Sequence, residues 1–223
     1  MDRHVPYGTP DTPRVAVLGE AHLEVDPEIA RLSVTVSARG TDRGAALEDL
    51  TRRNQRALEL VKSYGEAIEK LETGAFAISP ELARGRQERV RAYHGRVHLT
   101  VTVTDFTALG ELTTRLADLE LTRVEGPWWG LRPDSPVHGQ ARQQAVREAV
   151  QRAREYAGAL GAGLVALVEL SDLDTQGEAD LAMPVAAFRG RSAGDAPAFD
   201  LEPARQTVSA HVTARFTITR PEL

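Results

Sequence analysis

Alternating apolar and polar residues run through several segments of the chain and predict β-strands. The clearest case is the segment from about 90 to 104, where every second residue from Val97 to Val103 is apolar. A period of two is the spacing of side chains that share one face of a strand. The same alternation, which predicts strands with one buried and one polar face, marks segments 14–25, 31–38 and 207–219.

Segments with a helical period separate these strands. Apolar residues recur three and four positions apart, which predicts helices over about 42–63, 106–119 and 135–161. The residues before them, Thr41 or Asp42, Asp105, and Asp134 or Ser135, can accept hydrogen bonds from free N–H groups at a helix start. In the third helix the recurring residues are mostly alanine, so it can lie close to a sheet.

Three further strands are predicted from shorter signals. Residues 70–80 form one, and residues 122–132 form another that holds Pro127. Proline cannot donate to a neighbouring strand, so this second strand is predicted at a sheet edge or at a bulge. The continuous apolar run 164–170 predicts a strand buried on both faces. A turn at Asp26-Pro27 predicts that the first two strands form a hairpin.

The resulting order, ββαββαβαββ, is that of an α+β protein. Alternating strands favour a mostly antiparallel twisted sheet with helices packed on one face and a polar second face. Residues 1–12 are predicted to be a flexible tail. Residues 13–223 are predicted to be a single domain, because no change of composition divides them. Within it, 173–205 is rich in acidic residues, Ala, Gly and Pro and is predicted to be a mobile excursion.

Composition narrows the class of protein. The 223 residues are 42% hydrophobic and 26% charged, which is ordinary for a globular chain. A net charge of −5 argues against nucleic-acid binding. The absence of cysteine excludes disulfides, thiolate nucleophiles and Cys-based zinc sites. Residues 1–12 lack the apolar core of a secretory signal, and no apolar run is long enough to span a membrane, so a cytoplasmic location is predicted.

Catalytic motifs are absent from the sequence. It contains no Gly-rich phosphate loop, no HExxH and no GxSxG. Glu169, Ser171 and Asp172 lie at a predicted strand end, but no motif for a base or nucleophile accompanies them. We therefore predict no catalytic residue, no metal ligand set and no cofactor.

Four histidines are the main candidates for a ligand or interface surface. His22, His94, His98 and His211 fall on the polar faces of three predicted strands. His94 and His98 are four residues apart on one strand, so about 13 Å separates them. They could share an ion only if another strand placed His22 or His211 between them. A metal or anion site, a pH-sensitive interface and an ordinary polar surface all fit this pattern.

Three other features are weaker candidates. Trp128 and its neighbour Trp129 should face opposite sides of a strand, one in the core and the other at an interface, in a pocket or in edge packing. Asn54 lies on the apolar stripe of the first helix and is predicted to bond to neighbouring backbone. The arginine-rich stretch 84–91 is interrupted by Glu88 and is predicted to be a solvated turn.

Local patterns in a fixed order connect the chain with a known family. They are Val17, Gly19 and Glu20 followed by Asp26-Pro27; Ala45-Ala46 with Asn54; Tyr93 before Val97, Leu99, Val101 and Asp105; Val124-Glu125-Gly126 with Trp129; the helix 145–161 leading into Leu164 and Val168; and 203–216. Together they span about residues 14–219 and resemble the SIMPL-domain family, which includes the YggE-like bacterial proteins.

The resemblance implies an α+β fold, a tendency to form homo-oligomers and no established enzymatic activity. Many members are exported, and some are linked to stress responses or the cell envelope. Our leading hypothesis is a non-enzymatic homo-oligomeric assembly or binding protein, built on the polar sheet face or on strand edges. One alternative is a small-molecule or metal-binding module that uses the histidine-bearing face. Another is an unrecognised hydrolase.

Overall fold

The computed structural model describes residues 8–83, 90–172 and 201–222. Within them, seven strands and three α-helices follow one another in the predicted order, so the α+β class is confirmed. They are β1 (Arg14–Val25), β2 (Ile29–Gly40), α1 (Arg43–Lys62), β3 (Ile68–Leu82), β4 (Val90–Val103), α2 (Phe106–Ala117), β5 (Thr122–Gly130), α3 (Pro136–Ala159), β6 (Leu164–Asp172) and β7 (Gln206–Ile218).

Side-chain caps begin all three helices at predicted positions. The Asp42 carboxylate accepts a hydrogen bond of 2.9 Å from the backbone N–H of Ala45. Asp105 does the same for Thr107 at 2.9 Å, and Ser135 caps α3. These bonds satisfy N–H groups that have no partner within the helix.

The strands divide between two antiparallel sheets, one in the order β1-β7-β6 and the other in the order β3-β4-β2-β5. β1 pairs with β7 along its whole length, from Arg14 opposite Thr217 to Val25 opposite Gln206. The predicted hairpin of the first two strands is wrong, because β2 pairs with β4 and β5 instead. The turn at Asp26-Pro27 marks where β1 ends, but it carries the chain into the other sheet.

The chain forms two compact units. The three-stranded unit holds β1, β6, β7 and α3, and its described residues are 8–25, 133–172 and 206–222. The four-stranded unit holds the other four strands with α1 and α2. The single domain over 13–223 stays a prediction. Much of the predicted tail and of the predicted excursion, residues 1–7 and 173–200, lies outside the described residues.

The four-stranded unit has a core of leucine and valine. Helices α1 and α2 supply part of it, and β2 and β4 supply the rest. The largest fully buried side chains are Leu32, Leu50, Leu99, Leu109, Leu112, Leu116, Val34, Val36, Val61, Val101 and Val103. Burying each stabilises the fold by about 1.5–3 kcal/mol relative to leaving it exposed.

The three-stranded unit has a core of small side chains. Helix α3 lies on β1 and β7 through an alanine stripe, as predicted: Ala141, Ala145, Ala149, Ala153 and Ala157. The approach is closest at Gly19 of β1, where an added Cβ would lie 2.1 Å from the carbonyl oxygen of Ala145. Helix and sheet therefore touch almost backbone to backbone in this unit.

The sheet edges agree with one prediction and contradict another. β5 is an edge strand, and its register with β2 shifts between Arg31 and Ser33, next to Pro127, as predicted. β6 was predicted to be buried on both faces, and this is wrong. β6 is also an edge strand, and most of its side chains are exposed because α3 packs mainly on β1 and β7.

Candidate functional site

Four apolar side chains of β6 form an exposed surface that we name the β6 edge. Val165, Leu167, Val168 and Leu170 have exposed fractions of 62%, 54%, 43% and 47%. On one side β6 pairs with β7, and no other strand of the described residues pairs with its second side. The backbone N–H and C=O groups on this second side therefore have no strand partner among the described residues.

Irregular register spreads the apolar side chains of the β6 edge. Leu164 pairs with Ile218 and Ala166 with Thr217, so Val165 is an extra residue on the β6 side. Val168 is a second extra residue on the β6 side, at the other shift in the register with β7. Bulges bend and twist a strand. The β6 edge is thus apolar around the strand rather than on one face alone.

Two of the predicted histidines meet on the outer face of the three-stranded sheet. His22 of β1 and His211 of β7 have ring centroids 5.9 Å apart, in an edge-to-face arrangement. The His22 Nδ1 lies 2.9 Å from the Ser209 hydroxyl, and the His211 Nδ1 lies 3.9 Å from a carboxylate oxygen of Glu20. Cross-strand pairing, with Glu20 opposite His211 and His22 opposite Ser209, places all four together.

The other two histidines lie on β4, in the four-stranded sheet. The His94 Nε2 is 2.7 Å from the Glu81 carboxylate, and the His98 Nδ1 is 3.4 Å from the Thr35 hydroxyl. The strands beside β4 are β2 and β3, and neither carries a histidine. Among the described residues, therefore, neither His22 nor His211 lies on a strand that pairs with β4.

Glu81 is the centre of a charged cluster at one end of the four-stranded sheet. Its carboxylate bonds to His94 and, at 2.8 Å, to the Arg39 guanidinium of β2. These partners, His94 first and Arg39 second, lower the pKa of Glu81 below its usual range. The cluster joins β2, β3 and β4 through one ionised side chain.

Metal-ligand clusters and membrane-spanning helices are both absent from the described residues. In the described ranges, no three or more His, Asp or Glu side chains are grouped so that they could hold a metal ion. None of the helices in the same ranges has the length and apolar character needed to cross a membrane.

Trp129 and Trp128 lie on opposite faces, as expected. Trp129 packs against the core of the four-stranded unit, with its ring centroid 4.8 Å from that of Phe106 on α2. Trp128 is opposite Arg31 in the register and is half-buried. A role for Trp128 in an interface or pocket stays a prediction.

Asn54 does not behave as predicted. Its side-chain oxygen is buried and has no hydrogen-bond partner among the described residues. Most of the arginine stretch, residues 84–89, lies outside the described residues.

The β6 edge is the surface that sequence reasoning missed. Its apolar run was visible, but a continuous run is typical of both a central strand and an edge strand that another chain covers. Strand order separates the two cases, and strand order depends on a pairing with β7 that no local pattern shows.

Comparisons with known proteins place the chain among proteins of one family. The sequence model of SIMPL, described as "Protein of unknown function (DUF541)", matches residues 15–216. A "26 kDa periplasmic immunogenic protein" of Brucella melitensis is 28% identical over 190 residues, covering 80% of this chain and 73% of that protein. The protein of that name from Brucella abortus matches equally well.

Two further matches are more distant. "Uncharacterized protein YggE" of Edwardsiella ictaluri is 22% identical over 157 residues, covering 70% of this chain and 66% of that protein. A solved structure, a putative amidohydrolase/peptidase from Burkholderia cenocepacia, is 17% identical with a TM-score of 0.28. That match covers 59% of this chain and 33% of the solved one.

The Brucella names contradict the predicted cytoplasmic location, because both proteins are called periplasmic. A leader peptide is removed on export and takes no part in the fold. The first twelve residues are therefore a poor guide to the compartment.

Proposed function

The chain belongs to the SIMPL family, whose function is unknown, and from that premise we propose that it is an exported, non-enzymatic protein that assembles with copies of itself through the β6 edge. Export is supported by the periplasmic names of the Brucella relatives. Assembly is supported by one observation above the others, the four exposed apolar side chains on an edge strand, β6.

The energetic case for a partner comes from the exposure of these side chains. Full burial of a Val or Leu side chain contributes about 1.5–3 kcal/mol, so four that start about half-exposed would contribute roughly 3–6 kcal/mol from each copy. Strand addition at an open edge adds backbone hydrogen bonds. Both gains offset the entropy that two chains lose on association.

A second copy fits this edge because the edge is self-complementary. Two β6 strands that run antiparallel about a two-fold axis would bring the same apolar side chains against each other. The opposite edge of the same sheet differs: among the large apolar side chains of β1 only Leu18 is exposed, at 38%, whereas β6 exposes four. β6 is therefore the favoured edge for apolar contact with a second copy.

The mass of the protein in solution tests the proposal. We expect light scattering after size exclusion to give a multiple of 24.2 kDa for the unchanged chain. Leu167→Asp combined with Leu170→Asp should give 24.2 kDa, because two carboxylates cannot be buried in the apolar contact. Phe76→Asp is the matched control, since Phe76 is 56% exposed on β3 of the other sheet.

The control should keep the mass of the unchanged chain. Circular dichroism establishes that all three proteins are folded. A mass of 24.2 kDa for the unchanged chain at high concentration would contradict the proposal. If the double variant keeps the mass of the unchanged chain, the result would contradict assembly through the β6 edge.

A further inference from the structure

The paired histidines on the three-stranded sheet have the geometry of a two-ligand metal site. We propose that His22 and His211 together bind one divalent transition-metal ion, such as Zn²⁺ or Cu²⁺, through their Nε2 atoms. His22 and His211 are diagonal neighbours across β1 and β7, with ring centroids 5.9 Å apart. Imidazole is a ligand that suits both ions.

The ring separation agrees with a shared ion. With metal–nitrogen bonds of about 2.0–2.1 Å, each ring centre lies roughly 3.2 Å from the ion. Two such ligands at angles from tetrahedral to linear have ring centres about 5.2–6.4 Å apart. The observed 5.9 Å falls inside this range, so the separation of the two rings is compatible with one shared ion.

The Nδ1 atoms of both rings have polar neighbours, and the one of His22 is held by a hydrogen bond, as in metal-binding histidines. The His22 Nδ1 is 2.9 Å from the Ser209 hydroxyl, and the His211 Nδ1 faces the Glu20 carboxylate at 3.9 Å. No described residue bonds to the Nε2 of either ring. A polar partner on one nitrogen fixes the ring and leaves the opposite nitrogen for the ion.

Charge and access favour a cation at this position. The side chains of His211 and Glu20 are each 40% exposed, so an ion can reach them from solvent. Glu20 places a negative charge beside the two rings. Because no third ligand is in place in the described ranges, water fills the remaining coordination positions.

Binding at this site would join the first and last strands of the chain. His22 and Ser209, which bond across the same two strands, are 187 residues apart in sequence. An ion that binds only the folded chain stabilises it in proportion to the logarithm of its concentration. At a hundredfold excess over Kd, the melting temperature of a chain of this size should rise by roughly 5–10 °C.

The chain contains its own control pair. His94 and His98 are also histidines on a polar sheet face, but the His94 Nε2 already bonds to Glu81. Four positions on one strand separate the two rings by about 13 Å, too far for one ion. A combined His94→Ala and His98→Ala variant therefore loses two histidines, one more than either single variant of the proposed site, without touching that site.

Calorimetric titration of tag-free, metal-stripped protein with ZnCl₂ tests the proposal. We expect one Zn²⁺ per chain, and at least tenfold weaker binding in both His22→Ala and His211→Ala. The His94 and His98 double variant should bind within twofold of the unchanged chain. Binding weaker than 1 mM in the unchanged chain, or full binding by either single variant, would overturn the proposal.

A second measurement uses the unchanged chain, so its result does not depend on whether a variant folds. Cu²⁺ is paramagnetic and broadens NMR signals near its binding site. Substoichiometric Cu²⁺ should broaden backbone signals around 22 and 211 before those around 94 and 98. Broadening that begins at β4, or that is uniform, would overturn the proposal.

Discussion

The two units of this chain use the same plan with different side chains. Each packs helices on one face of an antiparallel sheet, and each has two histidines on its outer face. The four-stranded unit fills its core with leucine and valine from both layers. The three-stranded unit has alanine at each buried position of its helix, and each of these side chains buries less apolar surface than a leucine or valine.

The edge strands of the two sheets also differ. One edge of the four-stranded sheet is β5, where Pro127 has no N–H to donate to a further strand. The three-stranded sheet ends at the β6 edge, with four large apolar side chains exposed. The unit with the smaller core side chains thus also carries the exposed apolar strand. Under the proposed assembly, the stability of this unit should depend on the partner copy.

Core truncation should separate the two units most strongly. Leu99→Ala removes a fully buried side chain from the four-stranded unit and should lower the free energy of unfolding by about 2–5 kcal/mol. Ala149→Gly in the stripe of α3 should cost only about 1 kcal/mol, chiefly through helix propensity. Urea unfolding, followed by circular dichroism, measures both.

Equal losses of unfolding free energy in the two variants would contradict the proposed difference between the two cores. A loss for Ala149→Gly well above that of Leu99→Ala would show that the alanine stripe, and not the leucine core, limits the stability of the chain.

A smaller effect should come from the charged cluster of the four-stranded unit. His94 and Arg39 lower the pKa of Glu81 below its ordinary value of 4.5. A carboxyl with a lowered pKa in the folded state stabilises the fold above its unfolded pKa, and this contribution is lost as pH falls through the folded pKa. We expect Glu81→Gln to lower the urea midpoint slightly at pH 6.

The same difference should shrink as pH falls through the lowered pKa of Glu81, because a protonated Glu81 carries no charge, like the glutamine of the variant. Glu125→Gln, which removes a carboxylate that pairs with Arg123 within β5, gives the effect of losing one surface charge. A difference between Glu81→Gln and the unchanged chain that grew toward acid pH would contradict the assigned direction.

Much of the local structure could be predicted from sequence because it depends on local periodicity. Alternation placed β4 and β7, alanine spacing placed α3, and the caps Asp105 and Ser135 marked helix starts. The outward direction of the four histidines also followed from strand parity.

The pairing of strands could not be predicted in this way. β1 pairs with β7 from the far end of the chain, and nothing at Asp26-Pro27 distinguishes that arrangement from a hairpin. This one pairing decides which histidines meet, bringing His22 to His211 while His94 and His98 stay apart on β4. It also decides that the apolar run of β6 lies at an edge.

The central claim is that copies of this chain meet at the β6 edge, and cysteine cross-linking tests it most directly. The chain has no cysteine, so one introduced at position 165, 168 or 170 is the sole thiol on each copy. Under mild oxidation, the account predicts a disulfide-linked dimer for at least one of these variants and none for Phe76→Cys on β3. No dimer at any of the three positions, or equal dimer from Phe76→Cys, would contradict it.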